Sequence, residues 1–136
     1  MSIQFKIVTP AGMSIEETVN SVTVDTADGQ VTILPRHTPL LSVLAQGEVM
    51  VRIKGDEKSY AVFGGFLEVS KDSHVTILAD GAESGLEIDE EKVKEAIARG
   101  EELKKQKVSM DEQEYARVAA ALERDLARLR VLRRRK

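Results

Sequence analysis

The sequence predicts a β-plus-α protein: an N-terminal antiparallel β-sandwich or flattened barrel over residues 1–86, followed by a two-helix antiparallel hairpin over residues 87–136. Three observations predict it. Up to about residue 86, apolar residues alternate with polar ones in short runs set off by turn residues, the period of half-buried strands. From residue 87 onward they recur every three or four, the period of amphipathic helices. Aromatic residues make up only 4% of the chain and Trp is absent, so the core must be assembled from Val, Ile, Leu and Ala.

The strands follow in order. Ile3, Phe5 and Ile7 alternate with Gln4 and Lys6, and Val22 and Val24 alternate with Ser21, Thr23 and Asp25. Asp28-Gly29 is a strong turn dipeptide, after which Val31 and Ile33 resume the alternation. Val49, Val51 and Ile53 share one face, opposite Met50, Arg52 and Lys54. Gly55-Asp56-Glu57 reads as a hairpin loop before a strand from Tyr60 to Phe63. Gly64-Gly65 interrupts the pattern, which marks a bulge or a close backbone approach rather than a phosphate loop, because no helix follows. Leu67 and Val69 form the next run, and Val75, Ile77 and Ala79 the last. Many short strands at this spacing argue a sandwich or barrel.

The helices have their own start signals. Asp89 is a plausible N-cap, with Glu90 and Glu91 placed to favour the positive end of a helix dipole. Val93, Ala96, Ile97, Gly100 and Leu103 make one apolar stripe, and Lys104, Lys105 and Lys107 close the helix. Ser109-Met110-Asp111-Glu112 has the form of a capping box that opens a second helix. Its seam runs Tyr115, Ala119, Leu122, Leu126, Leu129 and Leu132 or Arg133. The stripes are narrow, so the hairpin needs another surface, either the β-domain or a partner.

Composition narrows function. With no Cys there are no disulfides, thiolate metal sites or cysteine nucleophiles. No signal peptide is expected at the start, and no apolar run approaches the ~20 residues that span a bilayer. From Arg124 to Lys136 seven basic residues face one acid, while the rest of the chain is net acidic. The basic end reads either as a solvated helix terminus facing the negative pole of its dipole or as a surface for an acidic partner. Nucleic acid is not expected, since no aromatics are interleaved to stack bases and the acidic body repels phosphate. Catalysis is poorly supplied: His37 and His74 belong to no zinc-ligand spacing, and the serines sit in no nucleophile elbow.

The stretch from Ile33 to Leu41 is more informative. Pro35 and Pro39 hold an extended path that cannot join a central ladder. Leu40 and Leu41 are expected in the core, and Arg36 and His37 at an exposed tip available for contact.

These same residues carry a resemblance. The run from Asp28 to Leu41, the segment Gly64-Gly65-Phe66-Leu67-Glu68-Val69, Val75-Thr76-Ile77-Leu78-Ala79-Asp80, the opening Val8-Thr9-Pro10 and the late Leu129-Arg130-Val131 resemble the epsilon subunits of bacterial F-type ATP synthases. The resemblance covers essentially the whole chain in order. It implies a non-catalytic, central-stalk subunit of a proton-translocating rotary complex. The β-domain would contact the gamma subunit and the c-ring through Gln30, Leu34, Arg36 and His37. The hairpin would move between compact and extended states and restrain ATP hydrolysis through Arg124, Arg128, Arg130, Arg133 and Arg134, facing the alpha and beta subunits. The implied location is the cytoplasmic face of the cell membrane, peripheral, with membrane contact only through the complex.

The resemblance requires no cofactor but allows ATP as a regulatory ligand, through an Ile/Leu-Asp-x-x-Arg-Ala motif. Here the stretch is Ile88-Asp89-Glu90-Glu91-Lys92-Val93, and Lys92 lacks the planar bidentate fork of arginine. A site of that kind would use Asp89, Lys92, Arg99, Arg124 and Arg128. Gln30 and Thr32 also stand where relatives commonly carry Glu and Gly. The rival readings are an ATP sensor whose main role is nucleotide response, which a titration of the isolated chain would reveal, and a stand-alone β-sandwich enzyme, which an activity screen without partners would reveal.

Overall fold

The computed structural model describes residues 2–106 and 110–135, with side chains described through Arg133 at the C-terminal end. Lys107, Ser109 and Lys136, and the side chains of Arg134 and Arg135, lie outside the described residues. In chain order the described residues form β1 (Ile3–Val8), β2 (Ser14–Val19), β3 (Ser21–Thr26), β4 (Gly29–Ile33), β5 (Leu40–Ile53), β6 (Asp56–Val69), β7 (His74–Ala79), β8 (Ala82–Ser84), α1 (Glu90–Lys104) and α2 (Glu112–Arg135). The strands join in the order β2-β1-β7-β6-β5-β3-β4, with β8 on β6. Every pairing is antiparallel except β1 with β7.

The sheet folds into two layers because β5 and β6 belong to both. The first half of β5 pairs with the second half of β6, and β7, β1 and β2 extend that layer. The second half of β5 pairs with the first half of β6, and β3, β4 and β8 complete the other. At the corner the side-chain parity reverses. Leu44 points into the core from one half of β5, and Val49 and Val51 from the other. In β6 the inward residues change from Tyr60 and Val62 to Leu67 and Val69. Gly64 and Gly65 make this reversal possible, with φ of 94° and 122°. A Cβ on Gly65 would lie 2.0 Å from the Leu78 carbonyl oxygen, so only glycine lets β6 approach β7 there. Sandwich corners are commonly made by bends of this kind.

Three sequence expectations are corrected. The β5–β6 hairpin turns at Lys54-Gly55 rather than at Gly55-Asp56-Glu57. Both turn residues have positive φ, 50° and 90°, as a tight two-residue turn requires. Leu41 is 71% exposed instead of in the core, because the parity of this half of β5 follows Leu40 and Leu44. The glycine pair does not separate two strands; β6 runs unbroken from Asp56 to Val69.

The hairpin lies on the outer face of the second layer. Asp89 caps α1, its Oδ1 accepting the amides of Glu91 and Lys92 at 3.0 and 3.2 Å. Asp111 begins α2 in the same way, accepting the Glu114 amide at 2.8 Å. The α2 seam is broader than the expected stripe and uses two faces. Leu122 packs on Gly100 of α1, while Val131 and Leu132 join Ala61, Ile88 and Val93 in a second apolar cluster against the sandwich. The β-domain is therefore the surface the hairpin needs, and the structure is of the compact state.

Two outcomes follow. Gly65→Ala should lower stability by about 2 kcal/mol or more in denaturant unfolding, from clash and backbone strain together. Gly12→Ala, at a φ of 96° but with open space around it, should cost only strain of about 1 kcal/mol. The Tyr60 phenol is buried beside Phe5 and donates to Glu17 Oε2 at 3.2 Å. Burial, and then the charge and hydrogen bond of Glu17, push its pKa up to about 12. Because the folded value is raised, its contribution is complete below about pH 10 and is lost as pH rises through 12. Thermal midpoints over that range should fall more steeply for the native chain than for Tyr60→Phe, and parallel curves would contradict this.

Candidate functional site

The loop between β4 and β5 is held from both sides. Arg36 sits at φ 67°, and its amide donates to Ser73 Oγ at 2.9 Å. The His37 amide donates to the Leu34 carbonyl at 3.1 Å, and Nδ1 of its ring lies 2.6 Å from the Thr38 carbonyl oxygen. Leu34 and Arg36 are exposed and His37 is half-buried. The structure thus brings Leu34, Arg36 and His37 together at the end of the sandwich beside the β6–β7 turn. Gln30 stands apart. Its Nε2 donates to Asp25 Oδ1 at 3.3 Å, in a recess it shares with Glu48 and Arg130.

A second surface escaped the sequence reading. Val43, Phe66 and Leu78 are paired across β5, β6 and β7, with half-buried Val8 next on β1. Each of the first three is about half exposed, and Leu41 lies further along β5. They form an apolar row on the outer face of the layer that carries no helices. Such contiguous patches mark interaction sites more often than solvated surface. The available signal was Phe66, one of three Phe in the chain and out of phase with Leu67 and Val69.

The third region is the cleft between hairpin and sandwich. Asp89, Lys92, Arg99 and Arg128 line it together; Arg124 does not. Glu83, Glu87, Glu95 and Asp125 line it too, so five carboxylates face three cations. Asp89 is already committed to the α1 amides. That balance fits a triphosphate poorly, since its charge would meet mostly like charge.

Arg128 dominates the cleft. Its Nε and Nη2 donate to the two oxygens of Glu83 at 2.7 and 2.8 Å, and its Nη1 donates to Asp125 at 2.6 Å. Its guanidinium lies over the Phe63 ring, 4.8 Å from the centroid. The pairing with Glu83 drives its pKa above the ordinary arginine value, against the opposing effect of burial. Arg130 reaches Asp25 at 3.4 Å. Arg124 and Arg133 are exposed. Among the described residues no group of three side chains is placed to hold a metal ion, and no helix is long and apolar enough to cross a membrane.

Residues 2–85 match the family described as ATP synthase, Delta/Epsilon chain, beta-sandwich domain. The ATP synthase epsilon chain of Herpetosiphon aurantiacus is 41% identical over 131 residues, covering 96% of this chain and 94% of the relative. The chain belongs to the ATP synthase epsilon family. The epsilon chain of Shouchella clausii is 37% identical over 130 residues, covering 96% and 94%. A chain of the Euglena gracilis mitochondrial ATP synthase, solved by cryo-EM as OSCP/F1/c-ring, superposes with a TM-score of 0.82 at 27% identity, covering 96% of this chain and 81% of that one. Epsilon chains are subunits of the synthase, distinct from its catalytic chain.

Removing the hydroxyl that anchors the epsilon loop tests its rigidity. Ser73→Ala should cost about 1 kcal/mol of stability or less and accelerate hydrogen exchange at the Arg36 amide. Unchanged exchange there would mean that the prolines alone hold the loop.

Proposed function

We propose that this chain couples rotation between the c-ring and the gamma subunit of a proton-translocating ATP synthase, at the cytoplasmic face of the cell membrane, and restrains ATP hydrolysis through its C-terminal helices. The observation that carries this reading is the bare apolar row Val43, Phe66 and Leu78, beside a pre-shaped loop, on the layer away from the hairpin. The row docks on gamma. Leu34, Arg36 and His37 face the ring, with Gln30 more distant. The sandwich, residues 1–86, suffices for assembly, and residues 87–136 are the regulatory part. Arg124, Arg128, Arg130, Arg133 and Arg134 meet acidic surfaces of the alpha and beta subunits when the hairpin extends. Complementary charge steers and orients such a contact more than it tightens it.

The test uses variants built into the assembled complex. Phe66→Ser should leave stability within about 0.5 kcal/mol, as exposed substitutions do, yet weaken binding to gamma by about thirtyfold, the loss typical of an aromatic anchor. Arg36→Ala with His37→Ala should assemble normally and lower ATP synthesis. A chain ending at Glu123 should assemble and raise ATP hydrolysis. Undiminished gamma binding by Phe66→Ser would remove the docking row, and equal hydrolysis by the shortened chain would remove the inhibitory role.

A further inference from the structure

Two of the arginines assigned to the catalytic subunits are already engaged with the sandwich. We propose that Arg128 and Arg130 form an ion-pair clasp that holds the hairpin compact without nucleotide, and that its carboxylates compete with the catalytic subunits for the same guanidinium groups. The second half of the proposal rests on the inhibitory role described above; the first does not.

The geometry supports a clasp in three ways. Residues two apart on a helix point about 200° apart, so Arg128 and Arg130 flank α2 on opposite sides. Their partners match, since Glu83 is on β8, at the β6 side, and Asp25 is on β3, at the β5 side. Close to both arginines in sequence, Val131 and Leu132 are buried in the apolar cluster that joins α2 to the sandwich. The Arg128 side is the stronger. It is a two-bond fork with 24% of its side chain exposed, against 46% for Arg130 at a longer distance. Forked pairs with reduced water contact exceed single exposed pairs in strength.

The clasp also stands where a phosphate would bind. A triphosphate in the cleft would have to take Arg128 from Glu83 while facing Glu87, Glu95 and Asp125. Lys92 offers it a point charge without a fork. The internal carboxylates therefore do what a nucleotide could otherwise do, and the compact state is independent of ATP. An Arg128 whose guanidinium edges lie on Glu83 and Asp125 cannot present them to another acidic surface. Extension and inhibition must begin with loss of the clasp.

The full chain has no Cys, so dyes can be placed at two engineered sites, Asp28→Cys and Glu123→Cys, both exposed. Energy transfer between them should be high without nucleotide and unchanged by millimolar ATP. Glu83→Gln should shift the compact-to-extended ratio about tenfold toward extended, the scale of a lost charge-assisted fork. Adding Arg128→Gln to it should shift the ratio little further, and circular dichroism should report intact strands in each variant. Transfer that rises with ATP, or that ignores Glu83→Gln, would overturn the clasp. In the assembled complex the signs should then diverge. Glu83→Gln frees the arginines and should slow ATP hydrolysis, whereas Arg128→Gln should speed it. If Glu83→Gln opens the isolated chain yet leaves hydrolysis unchanged, while truncation after Glu123 raises it, the clasp stands and the competition is wrong. If neither changes hydrolysis, the inhibitory reading itself fails.

Discussion

The parity reversal in β5 and β6 is the constraint on which the remaining architecture depends. A strand that kept one alternation over fourteen residues would send half of its apolar side chains to the wrong side of a folded sheet. Reversing at Gly64-Gly65, and in β5 between Leu44 and Val49, lets both halves face one core. It also creates two unlike outer faces. On one, Met50 and Ala61 are buried on the side that α2 covers, and burial becomes nearly continuous along the strands. On the other, Val43, Phe66 and Leu78 remain open and burial still alternates. A single corner thus separates the surface that holds the chain's own helices from the surface available to another protein.

The two packed regions are unequal. The sandwich core is large, continuous and almost wholly aliphatic. The cluster joining hairpin to sandwich has few members, and Phe63, Ile97 and Leu129 are only partly buried in it. Each fully buried aliphatic side chain contributes about 1.5–3 kcal/mol, so a cluster this small leaves the hairpin only modestly held once the entropy of ordering two helices is counted. Ion pairs of a few contacts can then decide its position, although they would be negligible inside the sandwich. Elements that move are generally drawn from the weakly held part of a structure, and in this chain the weakly held part is the hairpin.

Much of this was legible in the residues, for identifiable reasons. Strict alternation placed Ile3, Phe5, Ile7, Val22, Val24, Val49 and Val51 inward, and Asp89 declared its helix start through its carboxylate. The loop held between Pro35 and Pro39 was legible because proline restricts the backbone wherever it stands. Leu41 and the Val43, Phe66, Leu78 row were not, because their orientation depends on a reversal farther along the chain and periodicity cannot count across a corner. The partners of Arg128 and Arg130 were also hidden. Glu83 precedes Arg128 by 45 residues and Asp25 precedes Arg130 by 105, and local charge patterning has no access to such separations. The reading of the basic end as a solvated helix terminus suits Arg124, Arg130 and Arg133, which stay exposed even though Arg130 is paired; the fold draws only Arg128 largely out of water.

Residue chemistry explains why the clasp falls on arginine. At position 128 the side chain must satisfy Glu83, Asp125 and the face of Phe63 together. A guanidinium offers two edges and a flat face for that purpose, where an ammonium offers only a compact charge. The same shape suits a carboxylate on any other protein equally well. A basic helix end on an acidic chain is therefore not committed by charge to a distant partner; it has acceptors at home. Which set of carboxylates holds it depends on how much water each excludes and how well each is positioned in advance. Asp25 is positioned in advance, since its Oδ2 already accepts the Glu48 amide at 2.9 Å. Glu83 stands in the middle of the short β8 and is more exposed than Asp25, 36% against 19%, but it holds its arginine by two short bonds where Asp25 makes one long one.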